Sequence, residues 1–595
     1  MDNQGGGWKQ FHKLNFDSKK LSKRVQKAEG ATLRHAHKFI VGRLDNIRGV
    51  RRTILAWLSL VGVTIIAVSV QFMWSQQNYT TTAAASGGTY AEASLGPIDT
   101  LNPLYASSSA EVAVSRLLFS SLYHYDATGH LKGDLAETMQ IDPTGTIYTV
   151  KLRQTARWHD GVRLTAKDVA FTINLIKNPE ARSPLRVNWQ DVAVKTLDDF
   201  TIQFQLPAVY AAFPHALTFM ILPEHILSQV APGAIRENAF SRTPLGSGPF
   251  SFLLLQGASS EHPIVHMTAF TGYYNGPPRL NRFEVHAYKN QDAIVRALRS
   301  GEVSAATDMT GMSGQVDKHN YQIIYRPIES GVYALLNNES PILKDKLVRQ
   351  ALQLATNTAA IRQQLEGPVG TLDLPFINGQ LSGDDVPVAP PPDSAKAAAL
   401  LDQAGWKLEG NVRKKDAQKL ELTVATTKNS QYERALAVLA GQWRKLGVVV
   451  NTNVVDSNDP SINFVQDILQ RRSYDVLLYE LFIGADPDVY AYWHSSQIGA
   501  TGYNFSNYVN KTADAALASS RSRLEPELRN AKYKAFAREW LNDAAAIGLY
   551  QPLTEYVANK HVESVDPTVV LVSAQDRFSN VRYWSVGQQS VYKTP

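Results

Sequence analysis

The sequence predicts an α/β protein of two or more domains, standing outside a membrane behind one N-terminal transmembrane helix. Three observations lead there. The 595 residues exceed what a single hydrophobic core accommodates. Ile54–Trp74, ILAWLSLVGVTIIAVSVQFMW, runs 21 residues without a formal charge. Finally, strand, helix and strand patterns follow one another between residues 419 and 454.

Charge comes first in chain order. Residues 1–52 hold thirteen Lys and Arg against four acidic residues, a net of +9. Since the whole chain carries +6, the remaining residues carry −3. The basic character therefore belongs to the tail, and a nucleic-acid-binding body is excluded because it keeps no surplus of cations for phosphates. The uncharged run matches a hydrocarbon core of about 30 Å when helical. Arg43, Arg48, Arg51 and Arg52 precede it, and Gln76–Gly88 contains no Lys or Arg. The positive-inside rule places the tail in the cytoplasm and the rest outside. A cleaved signal peptide is the competing reading, but its apolar stretch is normally shorter and its basic region briefer. With no cysteine in the chain, neither a lipid-modified Cys nor a disulfide is available.

Gln77–Gly88 (QNYTTTAAASGG) is small and polar, the composition of a flexible stalk. Further on, Thr165 and Asp168 precede an apolar run as a helix cap, and Asp393 does the same before Ser394–Ala404, which Gly405 stops. Lys419–Thr427 alternates like a half-buried strand. Leu436, Leu439, Ala440 and Trp443 form one apolar stripe of a helix that Gly447 ends, and Val448–Val454 is β-branched and extended. This βαβ order implies a mostly parallel sheet.

Signatures of covalent chemistry are missing. The chain contains no GxxxxGK[ST], no GxSxG and no HExxH, and the one S-x-x-K, Ser590–Lys593, lies at the extreme C-terminus. His35 and His37 fall in the tail, while His262 and His266 flank a strand-like segment, so neither pair reads as a metal site. His159, in the WHDG turn, reads as a turn residue beside Asp160-Gly161. No cofactor and no metal is expected.

From the WHDG turn outward the sequence resembles the large family of ABC-importer solute receptors that includes the oligopeptide, dipeptide and nickel receptors, the bacterial extracellular solute-binding proteins of family 5. The resemblance runs through GGTYAEASLGPIDTLNP (Gly87–Pro103), Leu122–Ile173 with LRQTARWHDGVRLTAKDV, PLGSGPF (Pro244–Phe250), LRSGEVSAATDM (Leu298–Met309), VRQALQLATNT (Val348–Thr358) and AKAAALLDQAGW (Ala395–Trp406). It implies a two-lobed periplasmic-binding-protein-like fold of the large peptide-receptor type. The expected order is a basic cytoplasmic tail (1–53), a transmembrane helix (54–74) and a linker (75–87). Lobe I (88–328) carries an inserted subdomain near 123–240, lobe II covers 329–555, and 556–595 returns to lobe I. The implied partners are a peptide or other small solute, ABC permease subunits and the membrane, with no nucleic acid.

The stretch IGADPDVYAYWHSSQ (Ile483–Gln497) is similar to the family's cleft-lining segment, in which dipeptide receptors carry an Asp that holds the peptide ammonium. That position falls on Gly484 or its neighbour here, one residue being deleted. The candidate ligand-binding residues are therefore Gly484, Asp486, Asp488, Tyr490 and Trp493. Each has a second reading: Asp486 before a proline as a turn former, Tyr490 and Trp493 as core, and His494 and Ser495 as loop-fixing residues. Two rival functions stand beside this one, an extracytoplasmic sensor or cell-wall-peptide-binding protein of the same fold without a transport partner, and a hydrolase with Asp486 and Asp488 as paired acids.

Overall fold

The structure, a computed structural model, describes residues 47–592 apart from 310, 457, 458 and 460. The basic tail expected at 1–53 lies outside the described residues as far as position 46. The chain divides into two compact units, one reaching to Ala83 and taking in 589–595, the other spanning Ala84–Gln588.

In the first unit a helix runs over Ile47–Tyr79, and its Arg51–Trp74 stretch is long and apolar enough to cross a membrane. Leu58, Ile66 and Phe72 on this helix are all exposed. The flexible stalk expected after it is not what forms. The helix continues to Tyr79, and Thr80–Ala84 is extended and pairs with Gln588–Tyr592. Each added helical residue gains a hydrogen bond, and the Thr-rich run that follows suits a strand.

The second unit contains two large sheets. The seven-stranded sheet has the order 321–327, 553–559, 305–309, 89–95, 282–288, 264–269, 250–256. Thr89–Leu95 is its centre, parallel to both neighbours, and the outer pairings are antiparallel. Its side chains alternate between two cores: Tyr90 packs with Phe283, Leu117 and Trp584 on one face, and Ala91 and Ala93 pack with Val295, Leu298 and Val557 on the other. A four-stranded antiparallel sheet (136–141, 147–152, 201–205, 193–198) extends the first of these cores, with helix Ala166–Lys177 packed beside it.

The five-stranded sheet has the order 449–455, 421–427, 476–482, 330–336, 546–550. Glu421–Thr427 and Val449–Val455 are parallel, joined by helix Ser430–Lys445, as the βαβ pattern predicts. Gly447 adopts the left-handed conformation that ends this helix (φ +92°). Two expectations change. Glu421–Thr427 is covered on both faces rather than half-buried, Leu422 and Val424 facing one core and Ala425 the other. Nor is the sheet mostly parallel, because Ser330–Leu336 and Ala546–Tyr550 run antiparallel to their neighbours. These two strands bring the chain into the sheet and take it out again, so lying antiparallel sets the entry beside the exit.

Local signals hold elsewhere. The Asp168 carboxylate accepts from the Thr165 N–H (2.8 Å) and the Asp393 side chain from the Lys396 N–H (2.9 Å), each at a helix start. His159 does more than turn the chain. Its Nδ1 accepts from the Gly246 N–H (3.2 Å) and its Nε2 lies 3.1 Å from the Gly248 carbonyl, clamping the PLGSGPF loop. Burial lowers its pKa to about 4, so it does this as a neutral ring.

Candidate binding site

The two large sheets are linked by a pair of strands that cross side by side. Tyr321–Pro327 pairs with Leu553–Asn559 in one sheet, and Ser330–Leu336 with Ala546–Tyr550 in the other. Between the sheets, Gln551 Nε2 donates to the Ile328 carbonyl (2.8 Å).

Glu329 occupies this crossing and ties three segments together. Its N–H donates to the Val572 carbonyl (3.0 Å), and its own carbonyl accepts from the N–H groups of Ile483 (2.9 Å) and Gly484 (3.0 Å). Gln380 Nε2 donates both to the Gly484 carbonyl (2.7 Å) and to the Glu329 carboxylate (3.3 Å). Among the described residues no Lys, Arg or His forms an ion pair with that carboxylate. Burial pushes its pKa up to about 7, since a charged carboxylate away from water lacks compensation there.

The predicted loop begins at this node. Gly484 has φ +82°, a conformation that costs an L side chain about 1–2 kcal/mol, although a Cβ there would meet only the Phe482 ring at 3.6 Å. Asp486 is held by Arg529 in a two-pronged pair, Nη1 to Oδ2 at 2.7 Å and Nη2 to Oδ1 at 2.6 Å. Asp488 accepts from Arg521 Nε at 2.8 Å. Their side chains are 9% and 8% exposed, and both arginines come from the helical hairpin 511–543, so each buried charge is already matched from within. Paired hydrolytic acids would need one free base and one proton-bearing acid, and two arginine-bound carboxylates are not that arrangement.

Tyr490 lies flat against His494 (4.1 Å between centroids, 18° between planes), and the Arg521 guanidinium sits over both the Tyr490 ring (4.3 Å) and that of Tyr210 (4.9 Å). The Arg521 carbonyl also accepts from the Ala211 N–H (2.9 Å). Trp493 is fully enclosed, edge-on to Tyr333 and Trp540, and is a core residue. The loop-fixing reading of His494 and Ser495 matches their bonds: Ser495 Oγ donates to Asp514 (2.6 Å), and His494 Nδ1 accepts from the Ser496 N–H (3.0 Å).

Tyr125 marks where the opposite wall approaches. Its hydroxyl lies 2.9 Å from His215 Nδ1, and His215 Nε2 lies 3.8 Å from Asp486. Burial raises the Tyr125 pKa, and the charges of Asp576, Asp486 and Glu329 raise it further against the opposing pull of Arg116. Four separate stretches of chain thus bring charge to bear on one hydroxyl. Beside it opens a small depression lined by Arg116, Ser121, Asp134, Met220, Tyr273 and Asp576 among others. Sequence reasoning names none of Glu329, Tyr125, His215, Tyr210, Arg521 or Arg529. They come from four separate stretches of the chain and share no spacing that marks a common site.

Two α/β bodies joined by a paired crossing, with polar and aromatic side chains meeting at the junction, define a two-lobed solute-binding protein. The comparisons narrow the class: residues 130–504 match the bacterial extracellular solute-binding proteins, family 5. The oligopeptide-binding protein AppA of Bacillus subtilis is 27% identical, the match spanning 86% of this chain and 96% of AppA. Its structure, solved with a nonapeptide, superposes with a TM-score of 0.67 over 84% of this chain and 99% of that one. The substrate-binding protein CtaP of Listeria monocytogenes gives 0.73 at 27% identity over 84% and 99%. A Brucella ovis protein described as an ABC-transporter peptide-binding protein is 30% identical over 73% of this chain and 81% of its own length. The chain belongs to family 5 of the bacterial extracellular solute-binding proteins.

Proposed function

We propose that this chain is the membrane-anchored receptor of an ABC importer, and that it captures a peptide or similar cation-bearing solute between its lobes and passes it unaltered to the permease. The Ile54–Trp74 helix is the anchor, with the basic tail on the cytoplasmic side. The crossing strands are the hinge, and closure over the solute excludes water and strengthens each polar contact. The observation that carries this reading is Glu329, a carboxylate at the junction of the lobes without a cationic partner among the described residues. An ammonium or guanidinium group delivered by the solute supplies that partner. Of the residues expected to touch ligand, Gly484 and Tyr490 line the wall beside it. Asp486 and Asp488 hold the wall in place through their arginines, and Trp493 supports it from the core. The relatives that bind peptides support the choice of solute.

The test is calorimetry of the full chain in detergent against a library of short peptides between pH 5.5 and 8. The empty-state pKa of Glu329 is raised, so the carboxylate becomes fully charged only above about pH 7. A cation binds the charged form, so affinity rises with pH through this window, and in Glu329→Gln it is weaker and flat. An unchanged affinity in that variant removes Glu329 from the site. Absence of binding heat across the library, or recovery of a cleaved product, overturns the receptor itself.

A further inference from the structure

We propose that His262, His286 and Glu302 form a binding site for a divalent transition-metal ion on lobe I, at the end of the seven-stranded sheet. Their donor atoms all lie within 4.8 Å of one another. His262 Nδ1 and His286 Nδ1 are each 3.6 Å from the same oxygen, Glu302 Oε1. An ion about 2.1 Å from each donor needs the two His–Glu separations to shorten by only a few tenths of an ångström, and the two imidazoles, within 4.8 Å, close on it through the partly exposed His262. Glu302, whose side chain is half in solvent, is free to make that adjustment.

The independent observation is at His286. Its side chain is 5% exposed, and its Nδ1 is buried with no hydrogen-bond partner among the described residues, too far from Glu302 at 3.6 Å for a bond. The other nitrogen, Nε2, lies 3.3 Å from Glu284 Oε2, and Glu284 is fixed in turn by His266 Nδ1 at 2.9 Å. A carboxylate that takes the proton on one ring nitrogen leaves the second as a lone pair, and this is how metal-binding histidines are oriented. Here that lone pair faces a second imidazole and a second carboxylate. Tyr288 positions both, its hydroxyl donating to Glu302 Oε1 (3.2 Å) and its ring stacking on His262 (4.1 Å, 23°).

Two imidazoles and one carboxylate select zinc, nickel, cobalt or copper over calcium and magnesium, which prefer all-oxygen shells. The bound ion joins the loop before strand Ile264–Ala269, the strand Arg282–Tyr288 and the turn after helix Gln291–Ser300. Water completes the coordination on the exposed side.

The test titrates Zn²⁺, then Co²⁺, into chelator-stripped full-length protein in detergent, alongside His262→Ala, His286→Ala and Glu302→Gln. The expected result is one high-affinity equivalent in the wild type, with cobalt absorption of nitrogen–oxygen coordination and a rise in melting temperature. Each ligand substitution weakens binding by at least about tenfold and abolishes the melting shift, and Glu284→Gln gives a smaller loss. His262 lies on a partly exposed loop, so its variant reports on the site even if the buried His286 variant fails to fold. Equal binding in wild type and His262→Ala, or no binding above the background of the tail histidines, overturns the site. A pH-dependent histidine shift without metal uptake also overturns it, showing a protonated His–Glu cluster.

Discussion

At the scale of single residues, the most consequential charges are those with no route to water. Glu92 and Arg577 are 0% and 2% exposed, and Arg577 Nη2 donates to Glu92 Oε1 at 2.5 Å. The Tyr556 hydroxyl donates to the other oxygen (3.1 Å) and also meets Tyr90. This network joins the central strand of lobe I to the returning segment near the C-terminus. Removing one member leaves its partner charged in the core, so Arg577→Met lowers unfolding stability by about 3–5 kcal/mol. Replacing both, Glu92→Met with Arg577→Met, costs less than the single change. Denaturant titration of the two variants checks the ordering.

At the scale of elements, helices Lys511–Arg521 and Pro526–Asp543 act as a brace for the loop 483–497. Each contributes one arginine to one loop carboxylate, and Arg529 also donates to the Ser520 carbonyl (3.1 Å) and the Tyr533 hydroxyl (3.0 Å). The brace explains why this loop carries two aspartates without presenting free negative charge. Asp486→Ala leaves the Arg529 guanidinium 15% exposed and unmatched, and costs about 3 kcal/mol. Hydrogen exchange then rises in 484–490 and in the first turns of 526–543, and remains unchanged in the lobe I sheet. A change spread evenly over the chain argues against the brace.

At the scale of the whole receptor domain, Arg521 links the bodies of the two large sheets. It belongs to the helical hairpin packed on the five-stranded sheet, pairs with Asp488 there, and lies over Tyr210, whose neighbour Ala211 bonds to the Arg521 carbonyl. A cation over an aromatic face is worth about 1 kcal/mol or somewhat more where water is excluded. Loss of that contact shifts the balance between closed and open forms by up to about tenfold. Arg521→Ala therefore enlarges the solute-free radius of gyration in solution scattering and weakens solute affinity by a few-fold to tenfold. Identical scattering profiles exclude Arg521 as a latch.

What the sequence determines by itself is what depends on neighbours along the chain. The uncharged run specifies the apolar helix, Asp168 and Asp393 mark helix starts, and the periods of 419–454 give the βαβ unit, because caps and amphipathic stripes act over only a few residues. Family membership is legible for the same reason, through ordered motifs from Gly87 to Trp406. Tertiary structure alone decides the antiparallel entry and exit strands, the pairing of Asp486 and Asp488 with arginines more than thirty residues on, and the enclosure of Trp493. It alone brings Glu329 to the crossing of the strands with no ion pair among the described residues, and His262 to His286 and Glu302 rather than to its neighbour His266. The burial of a charge and the convergence of donor atoms are properties of packing between distant segments, and no local pattern encodes them.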